Sequence, residues 1–284
     1  MATNKFVTAA VQLCSRGDIL QNLAVCKRLA EQAANQGASL LVLPECFAFL
    51  GRAQPEQFDV AESLDSNPPG RVLASIQEMA RANGLWVIAG GMPEIPEKDK
   101  GAPVVSSIYN TSVTVSPAGE VVAVYRKMHL FDIDIPGRTV LTESKHTRPG
   151  REIVVASTDL GRIGLSICYD LRFPELYREL VIRMGAQILV VTAAFTAHTG
   201  AAHWHTLLRA RAIENQCYVI AAAQTGQHNE KRQSYGHSLI IDPWGTILAE
   251  IPDDEGLAIA EIDLEALAER RRQMPCLQHQ VLLR

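Results

Sequence analysis

The chain has 284 residues, with 27 basic and 31 acidic side chains for a net charge of −4, and 47% of its residues are hydrophobic. This balance argues against a nucleic-acid partner, which needs a basic stripe, and no apolar run is long enough to cross a bilayer. No composition shift or low-complexity linker divides residues 1–284, so a single domain is expected.

The stretch Met1 to Phe6 passes directly into a strand pattern, without the apolar core or cleavage site of a signal peptide, so a cytoplasmic location is expected. Phe6 to Leu13 reads as a buried strand. From Ile19, residues Leu20, Leu23, Cys26, Leu29, Ala30 and Ala33 recur at helical spacing and stop near Gly37. Ser39 to Leu43 is a second strand, cut off by Pro44. Arg71 to Asn83 is helical, Leu85 to Ala89 is the next strand, and Pro93 to Pro103 reads as an exposed loop.

Ser112 to Val115, the turn Ser116-Pro117-Ala118-Gly119 and Val121 to Tyr125 make a hairpin. Gly161 to Ile167 is a strand, Pro174 to Met184 a helix, Gln187 to Val191 a strand, Trp204 to Asn215 a helix and Tyr218 to Ala223 a strand. A second hairpin turns at Asp242-Pro243-Trp244-Gly245 and returns through Ile247 to Glu250. Arg270, Arg271 and Arg272 read as the solvated face of a late helix, and Arg209, Arg211 and Glu214 as helix-surface ion pairs. Each half thus has helix-flanked buried strands followed by a hairpin. This weak pseudo-repeat suits an α/β fold with two sheets packed face to face and helices outside.

The six cysteines (14, 26, 46, 168, 217 and 276) contain no CxxC pair, so they read as free thiols without a zinc or thioredoxin-like motif. His198, His203 and His205 match no standard ligand spacing and read as packing or pocket-lining residues. Three titratable residues stand at or just beyond strand ends, where a rigid sheet presents catalytic groups. Glu45 follows Leu40 to Pro44, Lys127 follows the returning strand of the first hairpin, and Cys168 lies between the strand ending at Ile167 and the helix opened by Pro174. A thiol at such a turn gains from backbone N–H groups and the helix dipole, which favour the thiolate. Burial would raise Glu45 towards neutrality as a base, and Lys127 could steady an oxyanion. Composition and spacing leave a plainer reading open: a surface carboxylate, an edge lysine and a core thiol.

Three blocks change that weighting: Leu43-Pro44-Glu45; Tyr125-Arg126-Lys127 with His129-Leu130-Phe131-Asp132; and Ile167-Cys168-Tyr169-Asp170 with Arg172-Phe173-Pro174-Glu175. In this order they resemble the signature blocks of the nitrilase superfamily, and the likeness runs through nearly the whole chain. The resemblance implies a four-layer α-β-β-α sandwich, a homodimer or larger homo-oligomer, and a triad of Cys168 nucleophile, Glu45 general base and Lys127 oxyanion stabiliser. It further implies a second acid, Glu143, that orients Lys127 and contacts substrate, and an oxyanion donor from the Tyr169 backbone N–H.

The segments Phe131 to Gly137, Thr199 to Glu214 and Gln224 to Gly245 most resemble the branch acting on deaminated glutathione, with the ω-amidases of α-ketoglutaramate close by. The implied substrate is a small anionic amide hydrolysed through a thioester, with no metal or organic cofactor. Arg172 is the nearest candidate to bind its carboxylates, with an ion pair to Glu175 as the alternative role. Rival readings are a nitrilase or carbamoylase of the same superfamily and a non-catalytic binding protein on the same scaffold. A papain-like Cys–His enzyme fits less well, because no histidine has the expected context.

Overall fold

The computed structural model describes residues 5–102, 105–135 and 139–281. Met1 to Asn4, Pro103 and Pro136-Gly137, which entered the sequence reading, lie outside the described residues. The first half contains β1 (Lys5–Leu13), α1 (Ile19–Asn35), β2 (Ala38–Leu43), α2 (Arg71–Asn83), β3 (Trp86–Glu94), β4 (Tyr109–Val115) and β5 (Val121–Arg126). A separate ribbon of β6 (Asp132–Ile135) and β7 (Thr139–Thr142) follows, then β8 (Val155–Thr158). The second half contains β9 (Gly161–Ile167), α3 (Pro174–Ile182), β10 (Ile188–Ala193), α4 (Ala197–Asn215), β11 (Tyr218–Asn229), β12 (Arg232–Tyr235), β13 (Ser238–Ile241) and β14 (Ile247–Ile251). β15 (Gly256–Asp263) and α5 (Leu264–Gln273) complete it.

The strand order β5-β4-β3-β2-β1-β11-β10-β9-β8 makes the pseudo-repeat visible. In the first half β1, β2 and β3 run parallel, and β4 and β5 return antiparallel beside β3. In the second, β9, β10 and β11 run parallel, and β13 and β14 return antiparallel beside β11. The halves meet where the ends of β1 and β11 pair, Gln12 with Ala223 and Leu13 with Gln224.

Period-two alternation sorts the core into layers. Leu41 and Leu43 pack with Leu23, Cys26 and Leu29 of α1 and Ile76 and Met79 of α2. Their neighbours Leu40 and Val42 face the other way and join the core of the second half, which also holds the inner faces of α3 and α4. The result is the expected α-β-β-α sandwich. The two sheets approach closely at Gly90, where an added Cβ would fall 2.1 Å from Cβ of Thr192.

Most expected elements recur within a few residues of their predicted ends, and the exceptions have physical reasons. β3 runs on through Pro93 and Glu94, which are buried rather than part of an exposed loop, because Arg126 and Thr111 bind the Glu94 carboxylate. Leu20 is 63% exposed, since Ile19 rather than Leu20 packs on the stripe of α1. Arg211 is buried, bonded to the Leu171 carbonyl as well as Glu214, and Arg209 donates to the Gly245 carbonyl instead of a carboxylate. Arg271 turns inward to the Gln216 and Ala186 carbonyls, so the three late arginines do not share one solvated face.

Candidate active site

The three blocks converge in a cavity of about 710 Å³ lined by Glu45, Lys127, Glu143 and Cys168, among others. Glu45 lies just beyond β2, with its side chain aimed at a β-bulge in β3, where the pairing with β4 shifts between Ala89 and Met92. Gly91, in the bulge, has φ +69, and an added Cβ there would stand 2.6 Å from Cγ of Glu45. A glycine therefore makes the room that the carboxylate occupies. The Gln224 amide fixes the backbone of Glu45 by donating to its carbonyl at 3.0 Å.

Both oxygens of Glu45 are held. Oε1 accepts from Lys127 Nζ at 3.2 Å and Asn110 Nδ2 at 2.9 Å, and Oε2 accepts from the Ala194 N–H at 3.0 Å. Lys127, only 2% exposed, also donates to Glu143 Oε1 at 3.0 Å and Oε2 at 2.8 Å. Glu143 is fixed in turn by the Phe131 N–H at 2.7 Å and Asn110 at 3.3 Å. An ammonium has three N–H donors, so when its two contacts with Glu143 share one of them in a bifurcated bond, a third can turn to a bound substrate oxygen.

Cys168 opens a one-turn 3₁₀ helix, Cys168 to Arg172, with φ +50 at the cysteine itself. A left-handed cysteine stores roughly 1–3 kcal/mol and persists only where its surroundings hold it. Those surroundings are built on Asp170, fully buried, which accepts from Tyr125 Oη at 2.6 Å, the His129 N–H at 3.0 Å and the Ile167 N–H at 2.9 Å. His129 Nδ1 lies 2.7 Å from the same carboxylate, and its ring stacks on Phe173 at 3.7 Å. Asp170 thus fastens the lysine block to the cysteine block.

The charges differ in two respects from the sequence expectation. Burial pushes the Glu45 carboxyl up, but Lys127, the Cys168 hydrogen bond and Arg232 outweigh it, and the group is held below its ordinary 4.5. Burial and the Glu45 charge push the Cys168 thiol well above its ordinary 9.0, against the opposing pull of Lys127 and the Ala194 N–H. Burial alone would lower Lys127, yet Glu143 and Glu45 keep it well above 10.5 and charged. The resting site is therefore carboxylate, ammonium and neutral thiol. In this arrangement a carboxylate stands where it can accept the thiol proton, so a thiolate held by the helix dipole is not required.

The profile of the carbon-nitrogen hydrolase family matches residues 7–272. The chain belongs to that family. This carbon-nitrogen hydrolase is 46% identical over 275 residues to the deaminated glutathione amidase of Dictyostelium discoideum, covering 95% of this chain and 92% of that one. It superposes on Caenorhabditis elegans NitFhit with a TM-score of 0.90 at 42% identity, over 99% of this chain and 66% of that one. With Saccharomyces cerevisiae Nit3, of branch 10 of the nitrilase superfamily, the TM-score is 0.84 at 32% identity, covering 95% and 94% of the two chains. It is thus a hydrolase of carbon–nitrogen bonds within the nitrilase superfamily.

Four of the six residues singled out in the sequence of this hydrolase line the cavity, and Tyr169 and Arg172 do not. The Tyr169 ring packs on Phe131 and Phe173 at centroid distances of 4.9 and 5.3 Å. Its N–H is in the first turn of a helix, where backbone donors lack intrahelical partners. Arg172 lies over the rings of Tyr169 and Phe195 with Nη1 3.3 Å from His203 Nδ1, and among the described residues it forms no ion pair with Glu175. His198 lines the cavity, and His205 shares Oε1 of Glu250 with His237 at 2.9 and 2.6 Å. Sequence reading missed Asn110, which touches both glutamates, and the Ala194 amide, because neither an asparagine in a strand nor a backbone donor carries a sequence mark.

Proposed function

We propose that the chain hydrolyses the amide joining a 2-oxoglutaryl group to cysteinylglycine, through a thioester on Cys168. The observation that carries the reading is the single cavity holding an ionised Glu45, a charged Lys127 and a neutral Cys168 thiol. The relatives named deaminated glutathione amidase, at 43–46% identity, support the substrate.

Cys168 Sγ attacks the carbonyl carbon as its proton passes to Glu45. The oxyanion is met by the remaining Lys127 N–H and the Tyr169 backbone N–H, and each such donor is worth ~10²- to 10³-fold in rate. Glu45 returns the proton to the nitrogen as the C–N bond breaks, so cysteinylglycine leaves as a neutral amine. Water then gives a proton to Glu45 and its oxygen attacks the thioester. The C–S bond breaks, 2-oxoglutarate departs, and the proton returns to the sulfur. Glu143 holds Lys127 throughout.

Purified protein should release 2-oxoglutarate from deaminated glutathione much faster than it releases ammonia from α-ketoglutaramate or simple nitriles. Equal or inverted rates would transfer the assignment to the ω-amidase or nitrilase reading. The same proposal includes a cytoplasmic homodimer or larger homo-oligomer. Ile213, Trp244 and Leu248 are 46%, 55% and 42% exposed, and Ile213 lies beside the turn that carries Trp244, which supports an associating face. Light scattering of the purified protein reads the assembly directly.

A further inference from the structure

The groups that do the chemistry sit badly with an anionic substrate. Glu45 and Glu143 face a single ammonium, Lys127, so this part of the cavity carries a net negative charge. A substrate with a carboxylate near its scissile amide needs positive charge from elsewhere. Arg172, the candidate by sequence, does not line the cavity.

Among the described residues, Arg52, Lys231 and Arg232 do line it. None of the three forms a salt bridge with a described carboxylate. The carboxylates of the cavity cannot serve either, since Glu45 and Glu143 are each occupied by Lys127, Asn110 and a backbone N–H. A half-buried guanidinium on a cavity wall, without an acid of its own, suits the planar two-point recognition of a carboxylate.

We propose that Arg232, flanked by Lys231 and Arg52, forms the subsite that binds a substrate carboxylate and selects anionic amides for attack by Cys168. The inference rests on the amidase reading and adds the residues that read the substrate's charge.

The local fold holds this wall in place. β11 runs on past the sheet to Asn229 and pairs with β12, which begins at Arg232. His228 pins the ribbon, with Nδ1 2.8 Å from the Ser15 carbonyl and Nε2 2.8 Å from Ser234 Oγ. Asn229 donates to the Gly51 carbonyl at 3.1 Å, which joins the hairpin tip to the segment carrying Arg52. The Tyr235 N–H donates to the Phe195 carbonyl at 3.0 Å and so docks β12 beside Ala194, the residue that holds Glu45. Arg232 is also close enough for its charge to act on Glu45 and Cys46.

The test uses two readouts. In full-length Cys168→Ala protein, calorimetry with 2-oxoglutarate should show binding that weakens roughly 10- to 100-fold on adding Arg232→Gln, as expected for losing a charge-assisted pair, with Arg232→Lys in between. In otherwise native enzyme, Arg232→Gln should raise KM for deaminated glutathione more than it lowers kcat, with the unfolding midpoint unmoved. Unchanged dicarboxylate binding in Arg232→Gln, or no binding to Cys168→Ala itself, would overturn the subsite. If the enzyme cleaves deaminated glutathione while Arg232→Gln leaves KM unaltered, the subsite fails and the amidase reading stands. If 2-oxoglutarate binding depends on Arg232 but deaminated glutathione is not cleaved, the subsite stands and the substrate assignment fails.

Discussion

The N–H of Ala194 donates a 3.0 Å hydrogen bond to Oε2 of Glu45, across 149 residues of sequence. Glu45 lies just past the end of β2 and Ala194 just past the end of β10, the strands that correspond in the two halves of the pseudo-repeat. The proposed base in one half is thereby oriented by the backbone of the other.

This relationship makes Glu45→Gln a severe change. Lys127 and Asn110 donate to one oxygen and Ala194 to the other, so either orientation of a glutamine points its NH₂ group at a donor. The variant should lose about 10²- to 10⁴-fold in kcat, the usual range for a general base. Alkylation of Cys168 by iodoacetamide should slow in parallel. Rates within twofold of the parent would show that Glu45 is not the base.

Lys127→Met should cost stability as well as activity. It leaves Glu45 and Glu143 buried without their cation, and breaking a buried pair in this way costs about 3–5 kcal/mol. The double variant Lys127→Met/Glu143→Gln should recover part of that stability and none of the turnover. Guanidinium unfolding and kinetics on the three proteins separate the two effects.

Gly91→Ala should impair catalysis by displacing Glu45. The position has φ +69 and lacks room for a Cβ beside the Glu45 side chain. We expect a fall in kcat accompanied by about 1–3 kcal/mol of destabilisation from the strained backbone and the clash. Normal kcat in a folded Gly91→Ala protein would show that the bulge does not set the base.

The pH profile follows from the directions of the shifts. In the proposed mechanism Glu45 acts as a base when ionised, and its group is held below 4.5, so kcat/KM should stay flat through neutrality and fall only below that value. The Cys168 thiol is pushed above 9.0 and should give no limb between pH 6 and 8. An inflection near neutrality that disappears from the residual activity of Glu45→Gln would show instead a raised carboxyl.

His228 gives a stability effect of opposite origin. Burial lowers it from 6.5 to about 4 in the folded protein. The unfolded chain therefore binds a proton first as pH falls, so the contribution is complete above 6.5 and is lost between 6.5 and about 4. The shift corresponds to about 3 kcal/mol. Denaturant midpoints of the parent should drop more steeply over that window than those of His228→Gln.

Much of this architecture is legible in the sequence because it is written in local patterns. The stripe Leu23, Cys26, Leu29 marks α1, and the alternation within Leu40 to Leu43 places β2 between two layers. Pro174 marks the start of α3. What escapes is set by tertiary partners. Glu45 reads as a base raised by burial until Lys127 and Arg232 are seen beside it, and Arg211 reads as a surface residue until the Leu171 carbonyl is found at its tip. The residues forming β12 are polar, so the extension of β11 past Ala223 and the cationic wall it builds leave no apolar mark.

The most direct test is acid-quenched intact-protein and peptide mass spectrometry after millisecond mixing with deaminated glutathione. A 2-oxoglutaryl adduct should form on Cys168, decay as free 2-oxoglutarate appears, and be absent from Cys168→Ala, which should not turn over. Full hydrolysis by Cys168→Ala, or an acyl group carried by the neighbouring Cys46 instead, would contradict the account.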